Sequence, residues 1–170
     1  QLAILRAMGW SEPRYAHVPL IHGPDGAKLS KRHGALGVET YRDDLGILPE
    51  ALFNYLLRLG WGHGDEEIIA KEDAVRWFDL PQVGRSPARF DVKKLESLNG
   101  HYLRAADPYR LASLIDHRIE GALGRGLDAD DIDLLARAMP HLTVRAKDLN
   151  ELADGALFLV KPRPLDRDEQ

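Results

Sequence analysis

From about Val38 onward the apolar residues recur three and four positions apart, and each run is bracketed by helix start and stop signals. This spacing restricts the fold more than any other feature of the chain. In "LPEALFNYLLRLG", Pro49 sits in the first turn and Glu50 near the positive helix end. Leu52, Phe53, Leu56, Leu57 and Leu59 share one side, and Gly60 is placed as a stop. "KEDAVRWFDL" predicts a shorter amphipathic helix. "RSPARFDVKKLESLNG" predicts another, with Asp91 as N-cap and Asn99-Gly100 as its end. Asp107-Pro108 pairs an N-cap with a first-turn proline ahead of "YRLASLIDHRIEGAL", and "DADDIDLLARAM" and "DLNELADGALFLV" follow. Before Val38 the pattern differs. Leu2, Ile4, Leu5 and Met8 predict the end of a helix, and "HVPLI", residues 17 to 21, reads as a buried strand between turn formers. Phe53, Tyr55, Trp61, Trp77 and Phe78 sit in apolar patterns and are expected in the core.

Composition narrows the functions such helices can serve. With 170 residues and 44% hydrophobic content the chain can bury real cores. It has no cysteine, so disulfides, thiol nucleophiles and cysteine zinc sites are excluded within it. A net charge of -4 confines any contact with phosphates to local patches. No run approaches the roughly 20 apolar residues of a membrane span, and the start lacks the layout of a signal peptide, so a cytoplasmic protein is expected. The first residue is not Met, and "VKPRPLDRDEQ" ends in polar sequence; both suggest a piece of a longer protein.

The densest positive patch is "HGPDGAKLSKRHG", His22 to Gly34, where Lys28, Lys31 and Arg32 stand among three glycines. Lysine supplies a mobile point charge and glycine lets backbone N–H groups approach oxygens, so the loop suits a polyphosphate. It is not a Walker A loop, because no Gly-Lys-Ser/Thr follows the glycines. By composition alone a cluster of this length is more often a solvated surface loop. "HGDEE", residues 63 to 67, offers His63, Asp65 and Glu66 without a further placed ligand, and no metal site is predicted there.

The order of residues around the loop is more specific. "KLSKR", Lys28 to Arg32, preceded by "PLIHGPDG" and followed by "HGALGVETYRDDLGILPEALFNYLLRLGW", resembles the second signature of class I aminoacyl-tRNA synthetases, the KMSKS motif, in its glutamyl-tRNA synthetase form. "FDVKKLESLNGHYLR", residues 90 to 104, is similar to that family's next marker. The three blocks span residues 17 to 104; the remainder matches only in helical character.

The resemblance implies a mainly α fold. Residues 1–35 would be the tail of a Rossmann-type catalytic domain with its strand and KLSKR loop. Residues 36–105 would form a helical stem-contact domain, and 106–170 the first part of a helical anticodon-binding domain. It implies the C-terminal side of an enzyme that condenses ATP and glutamate to a glutamyl adenylate and then charges tRNA(Glu). Lys31 would stabilise the phosphates in the transition state, with Lys28 in support and Leu29, Ser30 and Arg32 completing the ATP contacts. ATP enters as substrate with Mg2+, and no protein-bound metal is implied. Arg85, Arg89, Lys93, Lys94 and Arg104 cluster around the second marker and are candidates for tRNA phosphates; the plain alternative is a solvated helix face. Arg145, beside Lys147 on a short linker, is a candidate for an anticodon base, with a phosphate or solvent contact as the more frequent alternative.

The family's other signature, His-Ile-Gly-His, is absent from the chain, so the glutamate site is expected elsewhere and the chain alone is expected to be inactive. A monomer is expected. Residues 105 to 170 lack an alternating β pattern, which disfavours the glutaminyl form with its β-barrels. A truncated paralogue that modifies a tRNA base lacks the helical tail seen here. The competing reading is a non-catalytic helical module that binds RNA or protein.

Overall fold

The computed structural model describes residues 1–23, 25–29 and 37–162. Among these, eight α-helices carry most of the chain: α1 (Leu2–Ala7), α2 (Val38–Asp43), α3 (Pro49–Arg58), α4 (Lys71–Trp77), α5 (Val92–Ala105), α6 (Pro108–Leu123), α7 (Ala129–Leu142) and α8 (Leu149–Val160). A two-stranded sheet joins β1 (Ile21–His22) in parallel to β2 (Ala88–Arg89), and a 3₁₀ turn covers Leu80–Gln82. The mainly helical expectation holds, and it holds for local reasons. Asp91, Asp107, Asp128 and Asp148 each accept a backbone N–H of the first turn they precede. Asp128 and Asp131 form a reciprocal capping box at α7, so Asp130-Asp131 acts as helix-end charge.

The helices bury one continuous core. Leu111, Ile115 and Ile119 of α6, Leu135 and Met139 of α7, and Leu152 and Ala156 of α8 are all almost fully buried. Leu48, Ala51 and Tyr55 around α3, with Leu95 and Leu103 of α5, extend it toward the sheet. A smaller cluster holds Trp61, Ile69 and Ala74.

Three expectations change. Asn99-Gly100 does not end its helix, because α5 runs on to Ala105. The Asn99 side chain is buried and committed elsewhere: its Oδ1 accepts the Leu48 N–H at 2.8 Å, and its Nδ2 donates to the Lys147 carbonyl at 2.7 Å. Gly100 lies inside the helix, where a Cβ would make only an ordinary 3.7 Å contact with the Ala146 carbonyl, so it marks no stop. "HVPLI" contributes only its last residue to β1, and Val18 and Leu20 are exposed. Phe53 and Phe78 are exposed as well, whereas Tyr55 and Trp61 are buried; α3 turns a narrower stripe to the core than its composition suggested.

No described helix is long and apolar enough to cross a membrane. Asn99→Leu should destabilise the fold by about 2–3 kcal/mol in urea unfolding, since it strands buried backbone groups without partners. Asp131 is held below the usual carboxylate range chiefly by the Arg125 guanidinium, with the Asp128 N–H adding to it. Stability linked to it is present above the unfolded-state pKa and is lost as pH falls through the lower folded value. Asp131→Asn should therefore flatten the acid limb of a stability–pH curve, followed by thermal melts between neutral and acidic pH.

Candidate functional site

β1 delivers the chain into the loop through a tight, internally bonded turn. The Leu29 N–H donates to the Ile21 carbonyl at 2.8 Å, and Gly23 N–H to the Ala27 carbonyl at 2.9 Å. Gly26 N–H donates back to Gly23, and the Asp25 carboxylate accepts the Ala27 N–H at 3.0 Å. Gly26 adopts φ +78°, a left-handed conformation that glycine takes without strain. An antiparallel bridge between His22 and Lys28 closes this base and leaves Lys28 exposed, with Leu29 half-buried behind it. Ser30, Lys31 and Arg32 lie outside the described residues.

The other side of the loop base is stitched to β2. Ala88 N–H donates to Leu20, and Phe90 N–H to His22, at 3.1 and 2.8 Å. Phe90 is buried against Tyr55 and Tyr41 in an aromatic cluster, with the Tyr55 ring edge-on at 5.0 Å. The Tyr55 hydroxyl accepts the Asp91 N–H at 2.6 Å, and burial pushes its pKa up. Strand, aromatic cluster and the start of α5 thus form one unit beneath the loop.

Beside that unit, between α3, β2 and α5, runs a groove enclosing about 560 Å³. Arg58, Arg89, Lys94, His101 and Arg104 line it, with Tyr55, Leu59 and Leu98 among its apolar residues. Glu67 and Asp91 are its carboxylates; Arg58 pairs with Glu67 at 3.3 Å, and Asp91 is occupied as a helix cap. Among the described residues Arg89, Lys94 and Arg104 form no ion pair with a carboxylate. Arg58 and His101, which sequence reading did not single out, join them because α3 and α5 pack side by side; four-residue spacing on α5 from Lys94 to Leu98 signals only the apolar part of that face.

The structure divides the basic candidates. Arg89, Lys94 and Arg104 share the groove, and Lys93 is exposed outside it. Arg85 lines a separate, largely apolar pocket with His17, Pro19, Trp61 and Phe78. Arg145 lies far along the chain on the turn between α7 and α8, lining a third depression with His141 and Phe158. His63 stacks on Trp77 at 4.4 Å, and no group of three or more His, Asp or Glu side chains converges among the described residues.

A family model for class I tRNA synthetases (E and Q), catalytic domain, matches residues 1–97. The chain belongs to that family. It is 68% identical over 170 residues to glutamate–tRNA ligase 2 of Rhizorhabdus wittichii, and 64% identical to glutamate–tRNA ligase 2 of Zymomonas mobilis. All of this chain is covered in both, but it spans only 36% and 35% of the lengths of those relatives. A solved glutamate tRNA ligase from Elizabethkingia meningosepticum, in complex with its amino acid, superposes with a TM-score of 0.71 at 27% identity, covering 97% of this chain and 36% of that one. The agreement accounts for a two-stranded parallel remnant attached to helices, an arrangement that consists with part of a larger Rossmann-type sheet. In this synthetase chain the loop base depends on Asp25 for its Asx turn. Asp25→Ala should speed hydrogen exchange at the Ala27 amide several-fold, leaving the urea midpoint unchanged.

Proposed function

We propose that this chain is the portion of a glutamate–tRNA ligase that supplies the KLSKR loop and the helices that hold tRNA(Glu). The observation that carries the reading is the coincidence of family membership with an exposed Lys28, on a bonded turn, three positions before Lys31 in sequence. In the reaction the glutamate carboxylate attacks ATP, pyrophosphate leaves, and the glutamyl group then passes from AMP to the terminal ribose of the tRNA. Negative charge builds on phosphate oxygens as pyrophosphate departs. A lysine that engages more closely then than in the ground state lowers the barrier. Lys31 has that role, Lys28 assists, and Leu29, Ser30 and Arg32 line the ATP.

ATP is the substrate and Mg2+ enters with it; the described residues offer no converging donor set for a resident ion. Residues 1–35 belong to the catalytic domain, 36–105 form a stem-contact domain and 106–170 begin an anticodon-binding domain. Of the RNA candidates, Arg89 and Lys94 meet backbone phosphates in the groove, Arg85 and Lys93 contact flanking phosphates, and Arg145 meets an anticodon base. Glutamate binds in sequence outside this chain, which is inactive alone. The enzyme works as a cytoplasmic monomer.

Aminoacylation by the complete polypeptide, with purified glutamate and glutamine tRNAs, tests the reading. Charging of glutamate tRNA is expected. Failure to charge either tRNA under conditions where ATP binds would overturn it in favour of a non-catalytic RNA-binding module. Lys31→Ala should slow adenylate formation by roughly 10²- to 10³-fold, the scale of losing one transition-state donor, as measured by pyrophosphate exchange.

A further inference from the structure

The apolar pocket that holds Arg85 is walled by three stretches of chain, at 16–21, 56–61 and 78–85, and encloses about 620 Å³. Backbone bonds fix those walls. Gly84 N–H donates to the Gly60 carbonyl at 2.7 Å, and Ala88 N–H donates to the Leu20 carbonyl at 3.1 Å. Pro19 packs on Gly60, where a built Cβ would meet the proline ring at 3.7 Å. The cavity is therefore a product of the fold, and its size is that of a small-molecule site.

Its lining is apolar with two polar exceptions that matter. Leu56, Phe78 and Leu80 line it and are exposed, so an apolar surface stands open at its mouth. No carboxylate lines it, and among the described residues Arg85 forms no ion pair. Trp61 belongs to the wall and is only 5% exposed. Its indole N–H is one of two buried side-chain polar atoms without a partner among the described residues. A buried donor without an acceptor is costly and calls for an explanation. Phe78 packs against this indole with ring centroids 5.7 Å apart, so an exposed ring covers the orphaned donor's side chain.

We propose that this pocket binds a small heteroaromatic monocarboxylate: its carboxylate on the Arg85 guanidinium, its ring among the apolar walls, and a ring acceptor on the Trp61 N–H. The arginine fork meets a carboxylate through two parallel hydrogen bonds. A phosphate dianion would bring a second charge that the apolar walls leave unsatisfied. Flat rings suit walls built from Trp61, Phe78 and Pro19, and a shift of the Phe78 ring lets the acceptor reach the indole. The inference goes beyond the function proposed above and needs neither ATP nor RNA. A flanking RNA phosphate at Arg85 would draw on the same guanidinium, so one occupant excludes the other there.

Titration calorimetry on the complete polypeptide with quinoline-3-carboxylate and quinoline-6-carboxylate tests this, with 2-naphthoate as the carbon isostere of both. The better quinoline should bind saturably and several-fold more tightly than 2-naphthoate, and should shift the Trp61 indole N–H resonance. Arg85→Ala should weaken it roughly tenfold, the scale of one charge-assisted contact. Leu56→Glu, which sets a carboxylate at the mouth, should weaken it at least as much. Leu56 and Arg85 are both exposed, so the two variants should keep the parent's urea midpoint. Three results would overturn the site: no saturable binding of either quinoline, an affinity indifferent to Arg85→Ala, or 2-naphthoate binding as tightly as both quinolines. Binding that ATP displaces and Arg85→Ala leaves untouched belongs to the second of these. The readout needs no charging activity. A polypeptide that fails to aminoacylate yet binds the probe through Arg85 would defeat the proposed reaction and leave this inference standing.

Discussion

The buried amide of Asn99 is the contact on which the rest of the molecule depends. Its oxygen takes the Leu48 N–H, at the residue that opens α3 without any side-chain cap of its own, and its nitrogen reaches the Lys147 carbonyl just before α8. Three segments distant in sequence meet on one fully buried side chain. A buried polar group is costly unless satisfied, and here each satisfied partner is backbone, so the bonds fix where whole elements lie. Gly46 completes the junction. Its carbonyl accepts the Leu149 N–H at 3.0 Å, and a Cβ there would sit 2.8 Å from the Leu149 nitrogen at a φ of +63°. Only glycine allows the two chains to approach so closely.

Around this junction the helical bundle grips the segment that follows α2. The Arg118 guanidinium, on α6, donates to the Arg42 carbonyl at 2.9 Å and to the Asn150 side chain, whose own amide donates to the Asp44 carbonyl at 2.8 Å. Arg118 is half-buried, and desolvation lowers its pKa, but carbonyl oxygens and nearby Asp43 and Asp148 compensate the charge. The exposed ion pairs, such as Arg137 with Asp133, contribute little by comparison because water screens them. One flank of the loop is thus tied to β2 and the aromatic cluster, and the chain a few residues past its other flank is tied to the bundle.

Helix existence was legible in the sequence because its causes are local. Asp91, Asp107 and Asp148 cap the turns they immediately precede, and Pro49 and Pro108 fall where a missing N–H costs nothing. The errors have a common origin in partners far along the chain. Asn99-Gly100 has the local look of a helix end, but a carbonyl and an amide about 50 residues away in either direction claim the asparagine. β2 carries no signal at all: two residues pair in parallel with a segment 67 positions earlier, and nothing in "PARF" announces it. The loop lysines stood out by their order among neighbours. The groove did not, because Arg58 and Arg104 come from separate helices and converge only once α3 and α5 are packed.

The first turn of α5 breaks a local rule that α7 obeys. A helix N-terminus disfavours cations, yet Lys93 and Lys94 stand at the second and third positions after the Asp91 cap and no acidic side chain joins them in that turn. In α7 the same positions hold Asp130 and Asp131, as the dipole prefers. The lysines therefore work against the helix that carries them, with only the Asp91 cap in partial compensation. Their charge also runs against a chain whose net charge is -4. In the proposed function a phosphodiester in the groove would offset that penalty at Lys94, the one of the two lysines that lines it. Under the proposed function, the cost at Lys94 and the unpaired Arg89 and Arg104 nearby share one explanation, with the groove rather than the bundle as the place where RNA would be held.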